Sequence, residues 1–153
     1  MNSTAMKINL KVLYTMSKIE KLWFDSNRIW IMTDEEQTFS RPIEAFPTLK
    51  DASNEERMSF KINQFGDSIR WENIDEDIHI SSFFEVQEPN YENEIADIFK
   101  RFPQLNISEV ANSIGIHKSL LAKYIYGIKK PSEKRKQEIK DALHCLGKEL
   151  MAV

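Results

Sequence analysis

NISEVANSIGIHKSLLAKYIYGIKKP, residues 106–131, is the stretch on which the fold turns. Apolar side chains recur at i, i+3, i+4 and i+7 in Ile107, Val110, Ala111 and Ile114, and again in Leu121, Tyr124, Ile125 and Ile128. That spacing puts each set on one face of an α-helix. Asn106, with Glu109 three residues on, has the pattern of a helix cap. Gly115 and Gly127 stand where each helix must end, at positions that usually need a positive φ. The stretch therefore predicts two short helices joined by a tight turn.

The same period continues on either side. Ile95, Ile98, Phe99 and Phe102 form an earlier set; Ile139, Ala142, Leu143, Leu146 and Leu150 form a later one. Pro131-Ser132 opens the last helix, because proline cannot continue the one before it. Gly147 falls inside its pattern and predicts an early end or a bend. Residues 89–153 thus read as an all-α unit of four to five helices. Within it, residues 106–131 supply the parts of a helix-turn-helix. Ala111 is small where the two helices approach, Ile116 anchors the turn, and Leu121 and Tyr124 face the core. The outer face of the second helix then carries His117, Lys118, Ser119, Ala122, Lys123 and Tyr126, followed at once by Lys129 and Lys130. Lys118, Ser119 and Lys123 have donors for base edges or phosphates, and Ala122 offers a methyl group to thymine. Lys129 and Lys130 stand where the chain would leave the groove beside the phosphates, with Lys134, Arg135 and Lys136 extending the basic surface. The partner implied is double-stranded DNA.

Charge supports this division. The net charge of −3 hides an asymmetry: residues 1–90 carry 10 Lys/Arg against 16 Asp/Glu (net −6), and residues 91–153 carry 11 against 8 (net +3). Between residues 117 and 140 there are eight basic residues against Glu133 and Glu138. One half is thus suited to a polyanion and the other is not. No apolar run approaches the roughly 20 residues of a membrane span. Residues 1–6 lack the basic start and apolar stretch of a secretory signal. Cys145 is the only cysteine, which excludes an intramolecular disulfide and fits a cytoplasmic protein.

On these residues the C-terminal unit resembles the phage-repressor and Cro-like helix-turn-helix family, of the xenobiotic-response-element type. Ala111, Gly115, Ile116, Tyr124, Gly127 and Lys130-Pro131 carry the resemblance. Two positions depart from it: His117 stands where the family often has Ser or Thr, and Lys118 where it often has Gln. The resemblance implies a transcription regulator, in the manner of a repressor, acting as a homodimer on two half-sites about 34 Å apart.

Residues 1–88 read as a small α+β domain of short antiparallel strands and small helices. Ile8, Leu10, Val12 and Tyr14 alternate with polar neighbours, as in a half-buried strand. Residues 21–24 and 29–33 form a hairpin across Asp25-Ser26-Asn27, and Asp34-Glu35-Glu36 turns into a short strand over 38–40. Pro42 and Pro47 bracket a loop; Ser53 and Glu56 are spaced as a capping box for a helix ending near Met58. Residues 59–63 and 68–71 make a second hairpin across Gln64-Phe65-Gly66-Asp67. Trp30 and Trp71 are assigned to the core, and Trp23 to the core or an interface.

This segment resembles a small bacterial α+β domain of unknown function that occurs alone or fused to a helix-turn-helix. The matching pieces are Arg41-Pro42-Ile43, Phe46-Pro47-Thr48-Leu49, Arg57, Gly66 and Trp71 with Ile74-Asp75-Glu76-Asp77-Ile78. Glu35 replaces a usual turn glycine. The resemblance implies a sensor or partner-binding role, with a protein partner from a neighbouring gene as in toxin–antitoxin-like pairs. Asp75-Glu76-Asp77 with His79 invites a metal-dependent hydrolase reading. Successive strand residues do not converge on one point, so the run reads instead as an exposed turn or the cap of a short helix over 81–85, with Arg41 and Arg57 as its ion-pair partners. No nucleophile–base pair, phosphate-binding glycine loop or metal-ligand spacing occurs. Neither a catalytic site, a cofactor nor a metal is expected.

Overall fold

A computed structural model describes residues 17–153; the strand expected over residues 8–14 lies outside them. The chain divides into two units, Met1–Val86 and Gln87–Val153.

The first unit is α+β. Strands β1 (Ile19–Asp25), β2 (Arg28–Thr33) and β3 (Thr38–Pro42) form an antiparallel meander in the order β1-β2-β3. The β1–β2 hairpin closes on Ser26 and Asn27, both at positive φ (53° and 59°), the backbone that a two-residue hairpin turn requires. In the next turn the positive φ falls on Glu36 rather than Glu35. The departure noted at Glu35 therefore costs no strain at that residue. Pro42 ends β3, a 3-10 turn covers Ile43–Ala45, and Pro47 opens helix α1 (Pro47–Lys50). The expected loop is thus ordered, since proline at the first helical position gives up no hydrogen bond. Helix α2 (Asn54–Met58) begins with the complete Ser53–Glu56 capping box.

A second antiparallel sheet follows, β4 (Lys61–Ile62), β5 (Ser68–Trp71) and β6 (Glu76–His79), in the order β4-β5-β6. The last strand was not expected: its acidic residues mask an alternation whose inward member, Ile78, is buried. The core of this unit gathers Leu22, Ile29, Ile31, Leu49, Ile69, Trp71 and Ile80. Trp71 is fully buried and its indole N–H donates to the Arg57 carbonyl at 2.9 Å. Trp30 is not core. It lies on the opposite face of β2 from buried Ile29 and Ile31, half-buried, with its ring stacked on Trp23 at 6.1 Å and 8°. Alternation along the strand decides this, because residues 29 and 31 already occupy the inner face.

The second unit is helical: α3 (Glu94–Arg101), α4 (Ile107–Ser113), α5 (Lys118–Tyr126) and α6 (Glu133–Met151). Ile95, Val110, Ala111, Leu121, Tyr124, Ile125 and Ile139 form its core. Side chains cap all four N-termini: Asn93, Asn106, His117 and Ser132. Three expectations fail here. Helix α6 runs unbroken through Gly147. Phe102 lies past the end of α3 and is 47% exposed. Leu146 and Leu150 are exposed as well, Leu150 at 63%. With 19 residues, α6 is about 28 Å long at 1.5 Å per residue. Its partners have seven to nine residues, so its apolar stripe outruns them.

Candidate nucleic-acid interface

Helices α4 and α5 are joined by a turn at Gly115, whose φ is +70°. The Ile116 amide reaches back to the Ala111 carbonyl at 3.1 Å and closes the turn. Buried Ala111 lets the helices approach, as its size suggested. His117 caps α5: its Nδ1 accepts from the Ser119 amide at 3.1 Å, so the ring is occupied in ordering the helix start. That ring nitrogen does the work usual for a Ser or Thr hydroxyl at a helix N-cap.

Lys118 is exposed at the first turn of α5; Ser119, Lys123 and Tyr126 are half-buried along it. Lys129 and Lys130 are exposed just beyond its end. Ala122 was expected on this outer face, but it is buried at 7% exposure. It precedes Ile125 by three residues and shares that residue's side of the helix. Leu120 is half-buried and packs against the core rather than pointing free of it. Tyr126 packs its ring against Tyr91 at 5.9 Å.

The basic residues divide by partner. Lys136 pairs with Glu133 at 3.3 Å and Glu94 at 3.8 Å, Lys140 pairs with Glu94, and Arg135 pairs with Glu138 at 3.2 Å. Of the extended basic surface expected over 134–136, two members are thus neutralised within the unit. Among the described residues, Lys118, Lys123, Lys129, Lys130 and Lys134 form no ion pair. Glu94 has its carboxyl held below the ordinary range, first by the hydrogen bond from Lys140 and then by the charges of Lys140 and Lys136.

Three residues that the sequence reading passed over lie at the far end of α5. The Asn90 amide donates to the Tyr126 carbonyl at 2.8 Å. Asn93 Nδ2 donates to the Ile125 carbonyl at 3.2 Å and to the Asn90 carbonyl at 2.9 Å, while its Oδ1 accepts from the Ala96 amide. Tyr91 supplies the ring beside Tyr126. Asn93 carries an N-cap signal, being a short amide just ahead of the periodic run from Ile95. Nothing local announces its second set of contacts, which spans 32 residues.

In the first unit, the acidic run has a different partner from those expected. Arg70 bonds Asp75 at 2.8 Å, Asp77 at 3.0 Å and Glu72 at 3.4 Å, which raises its pKa above the ordinary arginine value, Asp75 and Glu72 contributing most. Arg41 instead bonds Glu85 and the Ser82 carbonyl, and Arg57 bonds the Leu49 and Lys50 carbonyls. Both arginines are spent on chain ends of neighbouring elements. His79, not the acidic run, caps the 3-10 turn Ile80–Phe84. Among the described residues, no group of three or more His, Cys, Asp or Glu is arranged to hold a metal ion. None of their helices is long and apolar enough to cross a membrane.

No curated protein matches the sequence. A solved structure from Nitrosomonas europaea ATCC 19718, named as that of a candidate DNA-binding protein, is 14% identical over 82% of this chain and 86% of that one, with a TM-score of 0.35. Residues 19–85 match a family described as a protein of unknown function (DUF2442); this is less than half of the chain, and α4 and α5 lie outside the match.

Proposed function

We propose that the chain is a sequence-specific DNA-binding transcription regulator that reads double-stranded DNA with helix α5. The observation that carries this reading is the separation of its lysines. Those on and just after α5 are unpaired among the described residues, while Arg135, Lys136 and Lys140 are tied to carboxylates. Lys100, Lys134 and Lys148 also lack ion pairs among the described residues, but Lys118, Lys123, Lys129 and Lys130 follow one another on and just beyond a single helix, an arrangement suited to a polyanion. Lys118, Ser119 and Lys123 are the base-edge readers, Tyr126, Lys129 and Lys130 hold phosphate, and His117 orders the helix start. Two copies bind two half-sites as a homodimer in the cytoplasm. The first unit senses a ligand or binds a partner protein, and the chain is not an enzyme.

A gel-shift with DNA selected from a random pool tests this. Lys118→Ala and Lys123→Ala should each weaken binding to the selected site about 5- to 100-fold, by analogy with the loss of a good base contact. Lys129→Ala should weaken selected and random DNA alike and reduce the slope of affinity against salt by about one. Failure of the wild-type chain to retain any DNA at low salt removes the proposal.

A further inference from the structure

Helix α5 ends in a tight closure. Gly127 takes φ +72°, and the amides of Ile128 and Lys129 both reach back to the Lys123 carbonyl, at 3.0 and 3.3 Å. This is the closure expected of a left-handed residue after a helix. It also fixes where Lys129 and Lys130 begin. Two carbonyls of the last turn, those of Ile125 and Tyr126, would still lack partners within the helix. Asn93 and Asn90 supply both donors, from the segment that leads into α3.

The fit is close. A Cβ at Gly127 would overlap the backbone of Asn90, so residue 127 must be glycine for packing as well as for its φ. Gly115 has the same backbone conformation, yet nothing stands within 4 Å of its missing Cβ. The Asn93 amide orientation is fixed by chemistry. Its oxygen must face the Ala96 N–H, and its nitrogen must then face the two carbonyls. The Tyr91–Tyr126 ring contact adds a second attachment on the same turn.

We infer that residues 90–93 form a clasp that positions the C-terminal end of α5, and with it Lys129 and Lys130, for DNA. Asn90 and Asn93 are positioning residues, acting through the carbonyls of Ile125 and Tyr126 rather than on DNA itself. This rests on the DNA-binding reading above. It extends that reading by making affinity depend on a segment outside the two reading helices. Displacing residues 90–93 from α5, by a ligand or partner acting on the chain before them, would lower affinity without touching a DNA contact.

The test uses the full chain with Asn93→Ser, which retains a good N-cap for α3 but is too short to reach Ile125. Asn90→Pro is the second variant; it removes the amide that meets Tyr126 and, with the side chain, the acceptor of the Glu92 amide, while the Asn93 side chain is kept. Amide hydrogen exchange at Ile128 and Lys129 should accelerate about tenfold in both, and affinity for the selected DNA should fall about three- to tenfold, the effect of one or two net hydrogen bonds. The helical signal at 20 °C should be unchanged in Asn93→Ser. Unchanged exchange overturns the clasp. Faster exchange with full DNA affinity overturns its role in binding. If the wild-type chain binds no DNA, the reading it rests on falls first, and the exchange data alone then decide whether the clasp holds the helix end.

Discussion

Glu94 shows how one side chain can set a pH limit. Its carboxyl accepts from Lys140 and lies near Lys136, and its pKa in the folded chain is below the unfolded value. A depressed carboxylate contributes stability that is present above the unfolded pKa and lost as pH falls through the folded one. The helical unit should therefore lose stability on acidification below about pH 4.3, the ordinary glutamate value. Glu94→Gln should lower stability slightly at pH 7 and shrink the acid limb in a series of thermal melts by the same small amount, since exposed ion pairs contribute little. An unchanged acid limb would show that other carboxylates govern it. Spacing alone put Lys118, Lys129 and Lys130 at the surface, where they are exposed, because lysines stay in water wherever the core lies. Ala122 was not legible. A methyl group has no strong preference for either side, and its side is set by Ile125 and its neighbours. The Arg70 cluster was hidden for a related reason: Arg41, Arg57 and Arg70 have the same side chain, and only strand register puts Arg70 opposite Asp77.

At the scale of elements, caps and glycines were informative where they end helices and misleading where they do not. Asn106, Gly115, Gly127 and Ser132 each stand at a boundary, and the Ser53–Glu56 box is complete. Gly147 carries the same signal and ends nothing. It lies inside α6 with no atom within 4 Å of an added Cβ. Gly147→Ala should therefore stabilise the helical unit by roughly 0.5–1 kcal/mol, the usual difference between these residues in a helix interior. A raised melting temperature for the helical signal checks this; a lowered one would mean that residue 147 meets something when the protein is assembled. Strand β6 was missed because periodicity needs length, and four residues with three polar members give little.

The described residues form two hydrophobic cores that share no residue. Each unit must therefore meet its own entropy cost, and the helical one does so with 67 residues, from Gln87 to Val153. Ile139 is fully buried at the centre of that core. Ile139→Ala should cost about 2–5 kcal/mol, comparable with the whole stability of a unit this small. Calorimetry should show the helical transition moved to much lower temperature or lost, with the transition of the first unit kept. A single displaced transition would mean that the two units unfold as one. The change from an α+β segment to a helical one was readable from period. The clasp at residues 90–93 was not, because its bonds join parts of the chain that the sequence keeps far apart. The stacked pair Trp23–Trp30 has a practical consequence. All three tryptophans of the chain, at 23, 30 and 71, belong to the first unit. Indole emission therefore reports on that unit alone, and two nearly parallel rings 6.1 Å apart couple their excited states. A ligand or partner that reaches this face of the sheet would announce itself as a change in colour and circular dichroism, without any label.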